Sequence, residues 1–192
     1  MDAANPQDPA SHVDDTAYAQ LWALLRETRA HGPGPSPAHD AVTRLLFEEA
    51  RLLDERLYDE WLSVFAPQCM YWVPRESEPG DPRIETGIYL DDRRRLNDRV
   101  AMIRGGYLHA QTPPSRTRRM LTNVEQWPAP DGRVRARANV VIWEYRKGHT
   151  RAYPGWQAYE IVTDPRGALL LSSKIVSLLD SDAPQGNYAF IL

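Results

Sequence analysis

Arg133-Val134-Arg135-Ala136-Arg137-Ala138-Asn139-Val140-Val141-Ile142-Trp143 alternates from its first residue. Successive side chains of an extended strand point to opposite faces. Val134, Ala136, Ala138, Val140 and Ile142 therefore share one face, and Arg133, Arg135, Arg137 and Asn139 share the other. At Val141 and Trp143 both faces turn apolar. The pattern predicts a strand over 133–146, half solvated at its start and covered at its end. Similar runs occupy 116–127, 151–163 and 168–179. The connectors are short and polar: Pro128-Ala129-Pro130-Asp131-Gly132, Lys147-Gly148-His149-Thr150 and Asp164-Pro165-Arg166-Gly167. Such connectors make antiparallel neighbours, and the last carries Pro and Gly where a type I turn takes them. Pro154-Gly155, inside the third run, predicts a bulge or bend.

The preceding half reads as helices. Asp14 or Asp15 can cap a helix whose Tyr18, Leu21, Trp22 and Leu25 fall on one face. His31-Gly32-Pro33-Gly34-Pro35 ends it, and Ser36-Pro37 opens the next. One stripe runs through Val42, Leu45, Leu46, Ala50 and Leu53; a second runs through Leu57, Tyr58, Trp61, Leu62 and Phe65. They describe either one long bent helix or two helices jointed near Asp54. Short strands are expected at 70–73 and 84–90. Asp91 or Asp92 caps a further helix carrying Leu96, Val100 and Ile103, closed by Gly105-Gly106. Helices followed by a sheet is an α+β pattern. The expected division is an N-terminal arm, helix and Pro/Gly linker over 1–38, and a main domain over 39–192.

Composition narrows the function. The 192 residues are 42% hydrophobic and 26% charged, with a net charge of −3. That is ordinary globular composition, with no electrostatic case for nucleic acid or an anionic membrane. No apolar run is long enough to span a bilayer. Met1 to Val13 is polar, without the basic start and apolar stretch of a signal peptide, so the cytoplasm is the expected location.

Few residues suit chemistry. The five histidines, His12, His31, His39, His109 and His149, show no pair at three- to five-residue spacing. The single cysteine, Cys69, sits in an apolar run and reads as a buried thiol. Gly105-Gly106 follows a helix and makes no phosphate loop. Ser63, Ser172 and Ser173 lie in apolar patterns without a nucleophile elbow. A cone-like interior could assemble an acid–base pair from Asp54, Asp59, His109, Tyr58, Tyr71 and Tyr159. Arg93, Arg94, Arg95, Arg99, Arg104, Arg116, Arg118 and Arg119 suit a protein interface, where arginine makes forked bonds to carboxylates.

Several segments taken in order carry a resemblance. They are Glu48-Glu49-Ala50-Arg51-Leu52-Leu53-Asp54-Glu55 with Trp61; Tyr71-Trp72-Val73-Pro74-Arg75; Asp98-Arg99-Val100 with Ile103; and Ser115 to Val124. The ending is Lys174-Ile175-Val176-Ser177-Leu178-Leu179-Asp180, followed by Asn187-Tyr188-Ala189-Phe190-Ile191-Leu192. From about Val42 onward the chain resembles the small (beta) subunit of bacterial aromatic-ring-hydroxylating dioxygenases. The resemblance implies an NTF2-like/SnoaL-like fold, a cone in which a curved antiparallel sheet packs on N-terminal helices. It also implies a non-catalytic role beside an alpha subunit that carries a Rieske [2Fe-2S] cluster and a mononuclear Fe(II). The implied assembly is an α3β3 hexamer with beta–beta contacts, fed by a ferredoxin or reductase. A Rieske cluster takes two Cys and two His, which one cysteine cannot supply. On this reading the subunit interface falls on Arg116, Arg118, Arg119, Asn123, Tyr188, Phe190 and Leu192, and the chain itself holds no catalytic, cofactor or metal residue. A stand-alone isomerase or dehydratase using an Asp/His pair is the competing expectation.

Overall fold

The computed structural model describes residues 13–30, 39–105, 112–129, 131–183, 188 and 190–192. Helix α1 spans Asp15–Ala30, and the Asp14 carboxylate accepts the Ala17 N–H at 2.9 Å. Helix α2 spans His39–Asp54 and α3 spans Tyr58–Ser63. Two helices, not one bent helix, therefore carry the two stripes. The joint is a left-handed cap: Arg56 has φ 59°. Its N–H donates to Leu53 O at 3.1 Å, and the Leu57 N–H donates to Leu52 O at 2.9 Å. This pair of bonds satisfies the last carbonyls of α2 and turns the chain sharply. The Ser36-Pro37 start and the expected boundary at residue 38 lie outside the described residues.

The strands are β1 (Phe65–Pro74), β2 (Gly87–Asp92), β3 (Arg116–Pro128), β4 (Val134–Arg146), β5 (His149–Thr163) and β6 (Leu169–Leu178). They form one curved sheet in the order β2-β1-β6-β5-β4-β3. Four pairings are antiparallel, and β1 runs parallel to β6. The β1–β6 pairing is the one exception to the expected antiparallel sheet among the described strands. Turn chemistry dictates direction only between consecutive strands, whereas β1 and β6 are joined through the whole of β2–β5. Strand β1 also begins five residues earlier than the expected 70–73, and its register slips between Phe65 and Met70, around Pro67. Strand β2 begins later than expected, leaving Ile84 85% exposed. It ends on Asp92, which caps helix α4 (Arg93–Arg104) by accepting the Arg95 N–H at 2.9 Å.

The turns follow the glycines. Lys147 and Gly148, with φ 48° and 84°, make a two-residue hairpin between β4 and β5. In β3, Asn123 takes φ 51° where the register slips against β4, between Thr122 and Glu125. Of the bulge or bend expected at Pro154-Gly155, the bulge is not present: β4 pairs continuously through Val141↔Pro154 and Val140↔Gly155. Glycine is needed for a different reason. A Cβ there would collide with the Ser177 carbonyl and sit 2.9 Å from Leu178 Cα.

Two cores lie on the two faces of the sheet. The inner face packs on α2, α3 and α4 through Leu46, Leu53, Trp61, Leu96, Ile142, Tyr159 and Val176, among others. On the outer face α1 lays Ala17, Leu21, Leu24 and Leu25 on Met70, Trp72, Ala158 and Ile175. The β4 expectation is inverted by this helix. Arg135 is buried, bonded to Glu160 at 3.1 Å and to Glu27 of α1, and Arg137 donates to Thr28 O at 3.1 Å. The far end, Trp143 and Tyr145, is the uncovered one, at 44% and 42% exposure. Periodicity identifies a face but not what covers it. Because backbone, not a flexible side chain, crowds Gly155, Gly155→Ala should destabilise by about 1–3 kcal/mol or more. Urea unfolding measures this, and a neutral result would contradict the close β5–β6 approach.

Candidate functional site

Helix α2 presents two carboxylates, Glu49 and Asp54, to the concave face of the sheet. Glu49 is fully buried; its Oε1 accepts from Lys174 Nζ of β6 at 2.7 Å and from Trp61 Nε1 of α3 at 2.7 Å. Lys174 is as deeply buried, 5.7 Å from the Tyr71 ring centroid and 6.0 Å from that of Tyr159. Burial pushes the Lys174 pKa below the ordinary lysine value, and the Glu49 carboxylate works against that shift. Both tyrosines are held well above the ordinary phenol range, chiefly by burial and then by the Glu49 charge. Their protons are also committed: Tyr159 donates to Gln157 Oε1, and Tyr71 to the main-chain oxygen of Leu192.

Asp54 grips β3. It accepts Thr117 Oγ1 at 2.8 Å, the Arg119 N–H at 2.8 Å and Arg119 Nη1 at 2.5 Å. The Arg119 side chain is 2% exposed, and its Nη2 donates to Ile191 O. Nearer the rim, Glu144 accepts from Ser115 Oγ and from Tyr153 OH, the latter at 2.8 Å. Asp91 pairs with Arg99 at 2.6 Å; burial raises its pKa and Arg99 opposes the rise.

Asp54, Asp59 and Tyr58, three described members of the acid–base set expected from sequence, do not form an acid–base pair. Asp54 is saturated by β3, Asp59 is an exposed partner of Arg104, and Tyr58 stands half-buried on α3. His109 lies outside the described residues, as do His12 and His31. The last residues of the chain occupy the interior instead: Phe190, Ile191 and Leu192 are 7%, 2% and 0% exposed. The Phe190 ring meets Tyr153 edge-on at 5.4 Å.

The residues expected at an interface divide the same way. Arg116, Arg118 and Asn123 stand exposed on β3, one of the two edge strands of the sheet, with the Arg116 guanidinium 4.6 Å from the Tyr145 ring centroid. Arg119, Phe190 and Leu192 turn into the chain's own core, and Tyr188 packs half-buried near Tyr153 at 5.7 Å. Sequence reading missed Trp143 and Tyr145, which like Met120 are more than two-fifths exposed. Trp143 and Tyr145 pair across the ladder with Arg118 and Arg116, so they share a face. Beside this edge run two grooves of about 540 and 520 Å³, which share Asp54, Glu55 and Arg118.

The family described as "Ring hydroxylating beta subunit" matches residues 48–183. This chain belongs to that family. The 2-halobenzoate 1,2-dioxygenase small subunit of Burkholderia cepacia is 34% identical over 140 residues, which is 70% of this chain and 85% of the relative. The crystal structure of the benzoate 1,2-dioxygenase beta subunit from Burkholderia mallei superimposes with TM-score 0.62 at 28% identity, covering 78% of this chain and 95% of that one. ActVI-ORFA from Streptomyces coelicolor superimposes with TM-score 0.57 at 14% identity, covering 74% and 98%, a likeness of fold. The donor set of this beta subunit does not fit a Rieske cluster. Its one cysteine is buried, and desolvation pushes that thiol up to about 12. Among the described residues no three His, Cys, Asp or Glu side chains gather as a metal site. No helix among them is long and apolar enough to cross a membrane.

The buried pair yields a test. Lys174→Met leaves Glu49 charged and unpaired in the core, which should cost about 3–5 kcal/mol. Adding Glu49→Gln removes that charge while keeping an acceptor for Trp61, and should recover most of the loss. Urea unfolding of the wild type, both single variants and the double variant measures the coupling. Additive effects would show that the two side chains do not interact in the folded protein.

Proposed function

We propose that this beta subunit is a structural component that docks a catalytic alpha subunit in an α3β3 hexamer, with beta–beta contacts, in the cytoplasm. The Rieske [2Fe-2S] cluster and the mononuclear Fe(II) belong to the alpha subunit, and a ferredoxin or reductase delivers electrons to it. The observation that carries this reading is the rim of the sheet at β3, which the described residues leave uncovered. Strand β3 is 13 residues long and lies at an edge, with Met120, Trp143 and Tyr145 exposed beside Arg116 and Arg118. A long exposed edge with apolar side chains invites pairing unless a partner covers it. Aromatic residues, Met and Arg are also the types enriched at subunit contacts. Arg116, Arg118 and Asn123 fit the rim of that contact. Arg119, Tyr188, Phe190 and Leu192 support it from inside by holding β3 and the tail in place.

Two of the relatives named above are subunits of dioxygenases named for 2-halobenzoate and benzoate, so an aromatic acid is the substrate class we infer for the whole complex. The interior of this chain does not take part, because its carboxylates and tyrosines are already paired.

Coexpression with the alpha subunit should give a large iron-containing complex. Met120→Glu with Trp143→Glu should cut its yield at least tenfold, since buried interface aromatics are worth about 2 kcal/mol or more each. The variant beta subunit alone should keep its melting temperature to within a few degrees. Undiminished assembly, read by analytical ultracentrifugation, would rule this face out as the contact.

A further inference from the structure

The rim at β3 carries cations that the chain itself leaves unmatched. Arg56, at the turn after α2, and Arg116 and Arg118, on β3, are exposed, and among the described residues none of the three pairs with a carboxylate. All three line the groove of about 520 Å³ together with Trp143 and Tyr145. Lys147 stands exposed at the hairpin tip just beyond Tyr145. The carboxylates of the same groove are already committed. Asp54 holds Arg119, Glu55 holds Arg51 at 2.8 Å, and Glu144 takes hydroxyl donors from Ser115 and Tyr153. Exposed arginines elsewhere do have partners, as Arg94 has Asp98 at 3.3 Å and Arg151 has Asp180 at 3.5 Å. The surplus of positive charge is therefore local, in a chain whose net charge is −3.

Main-chain pairing is obstructed on this edge. The Arg119 N–H donates to the Asp54 carboxylate of α2 at 2.8 Å. An incoming strand would find that donor taken and the helix in its way. Recognition falls instead to side chains. Arg116 lies opposite Tyr145 in the ladder and Arg118 opposite Trp143. The Tyr145 ring, 4.6 Å from the Arg116 guanidinium, orients that group while leaving its N–H fork to a partner. Covering this face with another protein takes water from each guanidinium, which must then find an acceptor. A carboxylate meets that demand best, because it accepts a bidentate pair of charge-assisted bonds.

We propose that the β3 rim binds an acidic segment of the catalytic alpha subunit, whose carboxylates engage Arg56, Arg116 and Arg118 around an apolar contact with Met120, Trp143 and Tyr145. This rests on the docking role inferred above and adds the charge of the partner's surface. The apolar residues hold the contact, and the arginines steer the encounter and reject partners of the wrong charge. A second beta subunit meeting this rim with its own would set arginine against arginine, which repels.

The coexpressed complex supplies the test. Arg116→Glu with Arg118→Glu should raise the alpha–beta dissociation constant about tenfold or more at ~50 mM salt, and the difference should shrink several-fold at ~0.5 M salt, where exposed charges are screened. Arg75→Glu with Arg166→Glu makes the same change of charge at exposed positions on other loops and should leave the affinity unchanged. Equal loss in the two pairs would mark an effect of net charge and overturn the proposal. Arg116→Lys with Arg118→Lys keeps the charge and adds two lysines to a chain that otherwise has only Lys147 and the buried Lys174. Carbodiimide coupling should then join the new lysines to aspartate or glutamate side chains of the alpha subunit, read by mass spectrometry. Links to a second beta subunit instead overturn the proposal. Unchanged affinity after charge reversal overturns it too, and Met120→Glu with Trp143→Glu then tells where the failure lies. Assembly lost in that variant keeps β3 as the docking face without an acidic partner; assembly kept removes the docking face itself.

Discussion

A charge taken out of water must find its counter-charge, and in this beta subunit that demand sets the distance between helix and sheet. Glu49 meets Lys174, and five residues on, Asp54 meets Arg119. The first contact ties α2 to β6, the second ties it to β3, and Trp61 brings α3 to the same Glu49 oxygen. Breaking either pair would strand a buried ion, a loss of several kcal/mol against a total folding stability of about 5–15 kcal/mol. The apolar stripe of α2 draws the helix onto the sheet. The two ion pairs select one register for it, because sliding along the axis would unpair both.

The same pairs close the interior to acid–base work. A general base needs a free lone pair and a pKa near the working pH. Here each inward carboxylate is bonded to a cation or to hydroxyl donors, and the deep phenols sit far above neutrality. The fold is shared with ActVI-ORFA, yet the chamber in this chain is filled by its own C-terminal residues. Strand β3 lies outside that chamber, at one edge of the sheet. Arg119 links the two regions, since one guanidinium touches the tail while its backbone belongs to the edge strand.

Local order was readable wherever one residue type carries a strong local constraint. Asp14 and Asp92 cap helices as their positions suggested, and Gly148 and Gly167 adopt the positive φ that their turns demand. The alternation in Arg133–Trp143 named the inner face correctly, and Ala136, Ala138, Val140 and Ile142 are all buried there. It misjudged the outer face, because cover comes from α1, more than a hundred residues away. Arg135 looks like a solvent residue until Glu27 and Glu160 close on it. Phe190 and Leu192 were expected at a subunit contact because an apolar terminus must dock somewhere, and both are buried against their own chain. Hydrophobicity says that burial will happen but not in which chain.

What the 192 residues determined unaided is the set of elements, their α+β order and the lack of soft ligands for a Rieske cluster. Each depends on neighbours a few positions apart or on a plain count of side chains. The parallel β1–β6 pairing, the glycine at 155, the Glu49–Lys174 contact and the filled cone were decided only in three dimensions. They join residues up to 125 positions apart, and no local pattern carries the free energy of a contact that exists only once the chain has closed on itself.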